Sequence, residues 1–146
     1  MDLRDDVTKV QRLLTKGMRA VRARRAVRAA LALRPPVPDG TVEVAVYFTD
    51  GPENLYQLDQ WFEPLRSLHE RHHVTVLSRH WETTQALLGT CPVPVHHAPD
   101  IDGVEAFLRR QPVRAVLYVK QNQANFSATR FADPADVFIC HGESDK

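Results

Sequence analysis

The sequence predicts an α/β fold: a parallel sheet covered by helices on both faces and preceded by a basic amphipathic helix. Three observations predict it. Short apolar, β-branched runs alternate with amphipathic stretches from about residue 41 onward. The runs are near-continuous rather than alternating, as in strands buried on both faces. Residues 1–34 hold ten Lys and Arg against Asp2, Asp5 and Asp6, a net +7 in a chain whose total is +1, so the remainder carries −6.

The first 34 residues read as a helix. Leu3, Val7, Val10, Leu14, Met18 and Val21 recur every three or four residues and share one face. Alanines at 20, 23, 26, 29, 30 and 32 favour helix further along. Gly17 is its weak point, where a bend or break is expected. Pro35 and Pro36 end it, because a proline pushes the preceding residue out of the α region. Residues 35–40 form a stiff, proline-rich linker, and residues 41–146 form the α/β domain.

Within that domain Val42–Phe48 is the first strand. Pro52 to about His72 is helical, with a break near Pro64. Val74–Leu77 is the second strand, and Trp81–Leu88 a helix ended by Gly89. Pro92–His97 is the third strand, Ile101–Arg110 a helix, Ala115–Val119 the fourth strand and Val137–Cys140 the fifth. Right-handed crossovers favour the doubly wound order 3-2-1-4-5.

Composition narrows the classes. A chain of 146 residues with 43% hydrophobic and 25% charged residues is globular. No apolar run approaches the roughly 20 residues that a spanning helix needs. No secretory signal begins the chain. These features fit a cytoplasmic protein. Cys91 and Cys140 form no disulfide framework and read as buried thiols. Six of the seven histidines fall in His69, His72, His73, His80, His96 and His97, but no carboxylate or cysteine completes a ligand set at familiar spacing, so no metal is expected. Trp61 and Trp81 read as packing residues. The third strand ends in His96-His97, where a receiver domain would place an aspartate.

Ligands of such sheets bind beyond the carboxyl ends of the strands. After the first strand comes Thr49-Asp50-Gly51-Pro52-Glu53-Asn54. No dinucleotide or phosphate-loop fingerprint is present, so no cofactor is expected. The segment is either a capped turn or a loop in which Asp50, Glu53 or Asn54 meets a hydroxyl substrate. After the fourth strand comes Lys120-Gln121-Asn122-Gln123-Ala124-Asn125-Phe126-Ser127. Its amides either cap the following turn or recognise a sugar or polyol, since amides both donate and accept. Asn122 and Asn125 are the candidates. After the fifth strand comes His141-Gly142-Glu143-Ser144-Asp145-Lys146. His141 is either a loop histidine or a base over the cleft, with Gly142 turning the backbone sharply. Lys146 can neutralise phosphate charge.

Residues 116–146, above all His141, Gly142 and Lys146, resemble the CDP-glycerol glycerophosphotransferase family, the teichoic-acid primases and polymerases, which carries an H-G-x-x-x-K stretch at the end of its N-terminal domain. The resemblance implies the Rossmann-like N-terminal half of a GT-B fold. That half faces a polyol or glycan acceptor, and His141 acts as general base. Gly142, Ser144 and Lys146 are implied substrate contacts. The CDP-linked donor belongs to a second domain that would follow residue 146, so residues 41–146 alone are expected to be inactive. The family's place on the inner face of the membrane suits the basic helix. Arg12, Lys16, Arg19 and Arg22 are the candidate contacts to anionic lipid. The alternative for the helix is packing on the protein itself. The acidic globule, without an aromatic platform, argues against nucleic acid. Two other functions remain open: half of another GT-B glycosyltransferase using a sugar nucleotide, or a flavodoxin-like binding or adaptor domain without chemistry.

Overall fold

The computed structural model describes residues 3–120, 123–131 and 133–139. In chain order the elements are α1 (Leu3–Ala32), β1 (Val44–Phe48), a 3-10 turn (Pro52–Asn54), α2 (Tyr56–Asp59), α3 (Phe62–His69), β2 (Val74–Ser78), α4 (Trp81–Thr90), β3 (Val95–His97), α5 (Ile101–Arg109), β4 (Ala115–Tyr118), a second 3-10 turn (Gln123–Ser127) and β5 (Ala135–Phe138). The five strands form one sheet in the order β3-β2-β1-β4-β5, and every neighbouring pair is parallel. This is the predicted order in a Rossmann-like α/β arrangement.

Alternation along the central strands divides the core in two. Ala45 and Tyr47 of β1, Leu77 of β2, and Val116 and Tyr118 of β4 point to one face, which α5 covers with Val104 and Phe107. Val46 and Phe48 of β1, with Val74 and Val76 of β2, point to the other. There α2, α3 and α4 bring Leu58, Leu65 and Leu87. The two crossovers that step from β1 toward β3 thus lie on one face. The crossover back to β4 lies on the opposite one, as right-handed connections require. β5 is the exposed edge, with Phe138 stacked on Tyr118 at a centroid distance of 5.0 Å.

Several boundaries depart from the sequence reading, each for a local reason. β1 begins at Val44 rather than Val42 because another group takes the preceding N–H donors. The side-chain oxygen of buried Gln111 accepts from the backbone of both Thr41 and Val42, at 3.0 Å each, and its amide donates to the Pro38 carbonyl at 3.0 Å. Just before this, Gly40 adopts φ +75° and donates to the Arg110 carbonyl, a left-handed turn suited to glycine. The 52–72 helix is interrupted between Asp59 and Phe62, N-terminal to Pro64. Proline is tolerated in the first turn of α3, where its missing N–H has no helical partner to lose, but its ring opposes helix at the residue four before it. α4 runs through Gly89 to Thr90. What ends it is Pro92, which holds Cys91 in extended backbone (φ −70°, ψ 128°). β5 starts two residues before the expected position, so that Ala135–Phe138 pairs with the whole of β4.

α1 is continuous, and Gly17 does not break it. Its C-terminal half packs along α4 and buries Ala23 and Val27. The side chains of residues 6–22 are exposed throughout. The 35–40 segment lies against the domain: Arg34 donates to the Leu88 carbonyl at 2.7 Å, and Val37 packs on the α5-side core. Among the described residues no helix is long and apolar enough to cross a membrane.

Candidate functional site

The switch point falls between β1 and β4, because chain progress turns away from β1 in both directions there. Two of the loops singled out in the sequence leave the sheet at this crevice. Asp50 follows β1 and Lys120 follows β4. Their charged groups lie 3.5 Å apart, with the Asp50 side chain 17% and the Lys120 side chain 39% exposed. The Asp50 carbonyl accepts from the Thr83 hydroxyl of α4 at 2.9 Å, so the β1 loop is fastened from the next crossover. Buried Thr49 lies beneath it. Asn54 ends the 3-10 turn half-buried, and its backbone N–H donates to Gly51 at 3.1 Å.

Asn125 is 3% exposed. Its amide donates to the Lys120 carbonyl, and its own carbonyl accepts from Ala128 at 2.9 Å. It therefore closes the β4 loop on itself and holds the backbone that carries Lys120. For Asn125 this is a capping contact. Asn122, His141, Gly142, Ser144 and Lys146 lie outside the described residues, as does Cys140. The last described residue before them, Ile139, donates its N–H to the Tyr118 carbonyl at 2.9 Å, beside the end of β4.

Lys120 and Thr83 are the residues that sequence reasoning did not place in the site. Lys120 was visible as the lone ammonium of its loop, but its partner depends on strand order. Thr83 carried no signal, because a threonine in a helix's first turn is ordinary.

A second polar group lies under α4. The Thr84 hydroxyl sits 3.0 Å from Ser78 Oγ, 2.7 Å from His97 Nδ1 and 2.9 Å from the His80 carbonyl. The Trp81 and His97 rings meet at a tilt of 33° with centroids 3.7 Å apart, and the guanidinium groups of Arg24 and Arg28 lie 5.7 and 5.8 Å from the Trp81 ring. Burial, followed by His96 and His80, depresses the His97 pKa from 6.5 to about 4. Burial, then Arg110, lowers that of His96. Both stay neutral near pH 7, because their partly buried rings lose hydration on charging. Trp81 thus packs a helix on the sheet edge, as expected. Burial also raises the Cys91 thiol, leaving it a poor nucleophile. Burial and the hydrogen bond to Asp136 (2.7 Å) raise Tyr118 well above the ordinary phenol range. Among the described residues no three His, Cys, Asp or Glu side chains cluster as metal ligands.

Of the basic residues on α1, Arg12, Lys16 and Arg19 line a shallow groove with Glu82 of α4. Arg22 lies on another side, beside Met18 and Val21. A larger groove of about 760 Å³ follows the β3 edge between Leu31, Arg34 and Val37 on one wall and Phe107 and Arg110 on the other. It reaches Asp39 and Gln111 at the amino ends of the strands, away from Asp50 and Lys120. No family model, no curated protein and no solved structure matches the chain.

Proposed function

We propose that this chain is a Rossmann-like binding domain whose crevice between β1 and β4 takes a small polar ligand bearing hydroxyl and phosphate groups. The observation that carries this reading is the Asp50–Lys120 pair at the switch point, fastened by Thr83 and Asn125. A carboxylate accepts from a hydroxyl, and an ammonium a few ångströms away meets an anionic oxygen. The two groups hold each other in position until a ligand divides them. The fold brings such a pair to the place where open parallel sheets bind ligands.

A second reading, the acceptor-side half of a glycerophosphotransferase, is favoured by one further observation. The His141-Gly142-x-x-x-Lys146 stretch follows β5 in sequence, and β5 ends beside β4 at the carboxyl edge of the sheet. On this reading the crevice holds the acceptor, His141 takes the proton from its hydroxyl, and the CDP-linked donor comes from elsewhere in the protein.

The experiment is a titration of the isotopically labelled chain with glycerol 3-phosphate and, separately, CDP-glycerol. Glycerol 3-phosphate is expected to shift the amide signals of Asp50, Thr83 and Lys120. Lys120→Ala is expected to weaken binding about tenfold or more, the loss of one charge-assisted contact. CDP-glycerol is expected to bind no more tightly than glycerol 3-phosphate, since no phosphate loop is present. Shifts confined to other parts of the domain would reject the crevice. The transferase reading also requires CMP release from CDP-glycerol by the protein, lost in His141→Ala. Release that survives this change removes His141 as the base.

A further inference from the structure

We infer that the groove along β3 receives the carboxyl-terminal peptide of a partner protein, which adds to the sheet as a sixth strand antiparallel to β3 with its terminal carboxylate at Arg34 and Arg110. β3 is the edge of the sheet opposite β5 and pairs only with β2. Two backbone bonds fix which way its groups point. Val76 donates its N–H to the Pro94 carbonyl, and Ala98 donates to the Ser78 carbonyl, both at 2.9 Å. In a parallel ladder, alternate residues turn their N–H and C=O to the same neighbour. Pro94, His96 and Ala98 therefore face β2, and Val95 and His97 face outward. Among the described residues nothing pairs with the outward N–H and C=O groups of Val95 and His97.

Such an edge is a template for another strand, and folds ordinarily blunt it with proline, lysine or a bulge. Here the neighbouring Pro94 turns its missing N–H toward β2, so the outer edge keeps its donors. The chain's own linker does not close the edge. Residues 35–38 also line the groove, but Pro35, Pro36 and Pro38 have no N–H to give. The Pro38 carbonyl is already bonded to the Gln111 amide and the Thr41 hydroxyl. What remains is a space of about 760 Å³ beside all three residues of β3.

The groove has a closed end, and this selects a chain terminus. At the amino end of β3 the linker is fastened to the end of α5. Gly40 donates to the Arg110 carbonyl at 2.9 Å, the Gln111 amide donates to the Pro38 carbonyl at 3.0 Å, and Asp39 lies 3.7 Å from Arg110. An extended chain that follows β3 to this end must stop there. The β3 of a second copy continues at both ends and does not fit.

Charge selects which terminus. Arg34 and Arg110 stand at the closed end with a single acid, Asp39. Asp39 pairs with Arg110, whereas among the described residues no carboxylate pairs with Arg34, which donates to the Leu88 carbonyl. The remaining guanidinium donors suit a terminal carboxylate, and an amino terminus would meet like charge. With its carboxyl end at the amino end of β3, the peptide runs antiparallel, the slightly more stable pairing. Its side chains alternate between the two faces of the sheet. Leu31 and Leu88 receive one set, and Val37 and Phe107 the other, so the last positions of the peptide are apolar. Three strand residues span only about 10 Å, which sets a dissociation constant roughly in the micromolar range or weaker.

The test uses the whole chain and an array of short synthetic peptides made with free and with amidated carboxyl ends. Free acids with apolar last residues are expected to bind, and amidation is expected to weaken the best of them about tenfold or more. Arg34→Gln should weaken the free acid by a similar factor and leave the amide nearly unchanged, which separates loss of charge from loss of fold. In the labelled chain, saturating free acid is expected to slow hydrogen exchange of the Val95 and His97 amides. The His96 amide, which faces β2, should change little. An array in which free acids bind no better than amides overturns the proposal, and so does a bound peptide that leaves Val95 and His97 exchange unchanged. Hexanoate and benzoate form the last arm. Either one perturbing β3 with the affinity of the best peptide assigns the groove to a small organic anion and overturns strand addition.

Discussion

At the scale of single residues, His97 makes the clearest physical statement. Its half-buried ring lies against Trp81 and Thr84, and its pKa falls from 6.5 to about 4, chiefly through burial. Between those values the unfolded chain binds a proton that the folded chain does not. Stability contributed by the neutral ring is therefore complete above about pH 6.5 and is lost as pH falls toward 4. Denaturant midpoints measured from pH 7.5 to 4 should decline across that window, and His97→Gln should flatten most of the decline. The lowered His96 acts in the same direction. An equally steep decline in the variant would place the titration elsewhere. Of the histidines weighed in sequence for metal, His96 and His97 thus act as neutral packing groups, because partial burial at the strand edge disfavours the charged ring.

At the scale of elements, α1 is two things in one helix. Its alanine-rich C-terminal half docks on α4 through Ala23 and Val27, while its first turns carry an apolar stripe whose side chains are exposed. Of the two readings weighed from the sequence, lipid contact and packing on the protein, packing describes the C-terminal half, while the N-terminal half presents exposed side chains. Substitutions should separate them. Val27→Ala removes two buried carbons and should cost about 2 kcal/mol. Met18→Ala at low protein concentration should cost less than about 0.5 kcal/mol, as exposed positions do. Urea unfolding monitored by circular dichroism would measure both. Equal costs would mean that the N-terminal half also docks. The other crossovers follow local rules, with prolines 64 and 92 setting the break before α3 and the end of α4.

At the scale of the whole molecule, one amide ties two parts of the chain about 70 residues apart. Gln111, just past α5, binds the Pro38 carbonyl of the linker and the N–H groups of Thr41 and Val42 leading into β1. Gln111→Ala would leave the buried Val42 donor without its partner and should destabilise the fold by about 1–3 kcal/mol, measured as a drop in unfolding free energy. A change under about 0.5 kcal/mol would mean that water replaces the amide. Sheet order has a similar reach. It decides that the loop after β1 meets the loop after β4, and so creates the Asp50–Lys120 pair from residues 70 positions apart.

Strand identity and order were legible in the sequence. Buried parallel strands must be apolar without interruption, and right-handed crossovers leave few topologies for such a pattern. The basic helix was equally legible, since a 3.6-residue period and a +7 charge need no neighbours to be seen. Asp50 and Asn125 were singled out by position alone, as polar residues beyond strand ends. What they do was decided by tertiary structure. Asn125 turns inward to hold its own loop, Asp50 meets Lys120, and Thr83 fastens the site from another crossover. The apolar stripe of α1 was visible in one dimension, but that it faces away from the domain depends on Ala23 and Val27 taking the opposite side. Local chemistry and periodicity are properties of a segment and survive in the sequence. A side chain's partner is a property of two segments, and only the folded arrangement that brings them within a few ångströms can choose it.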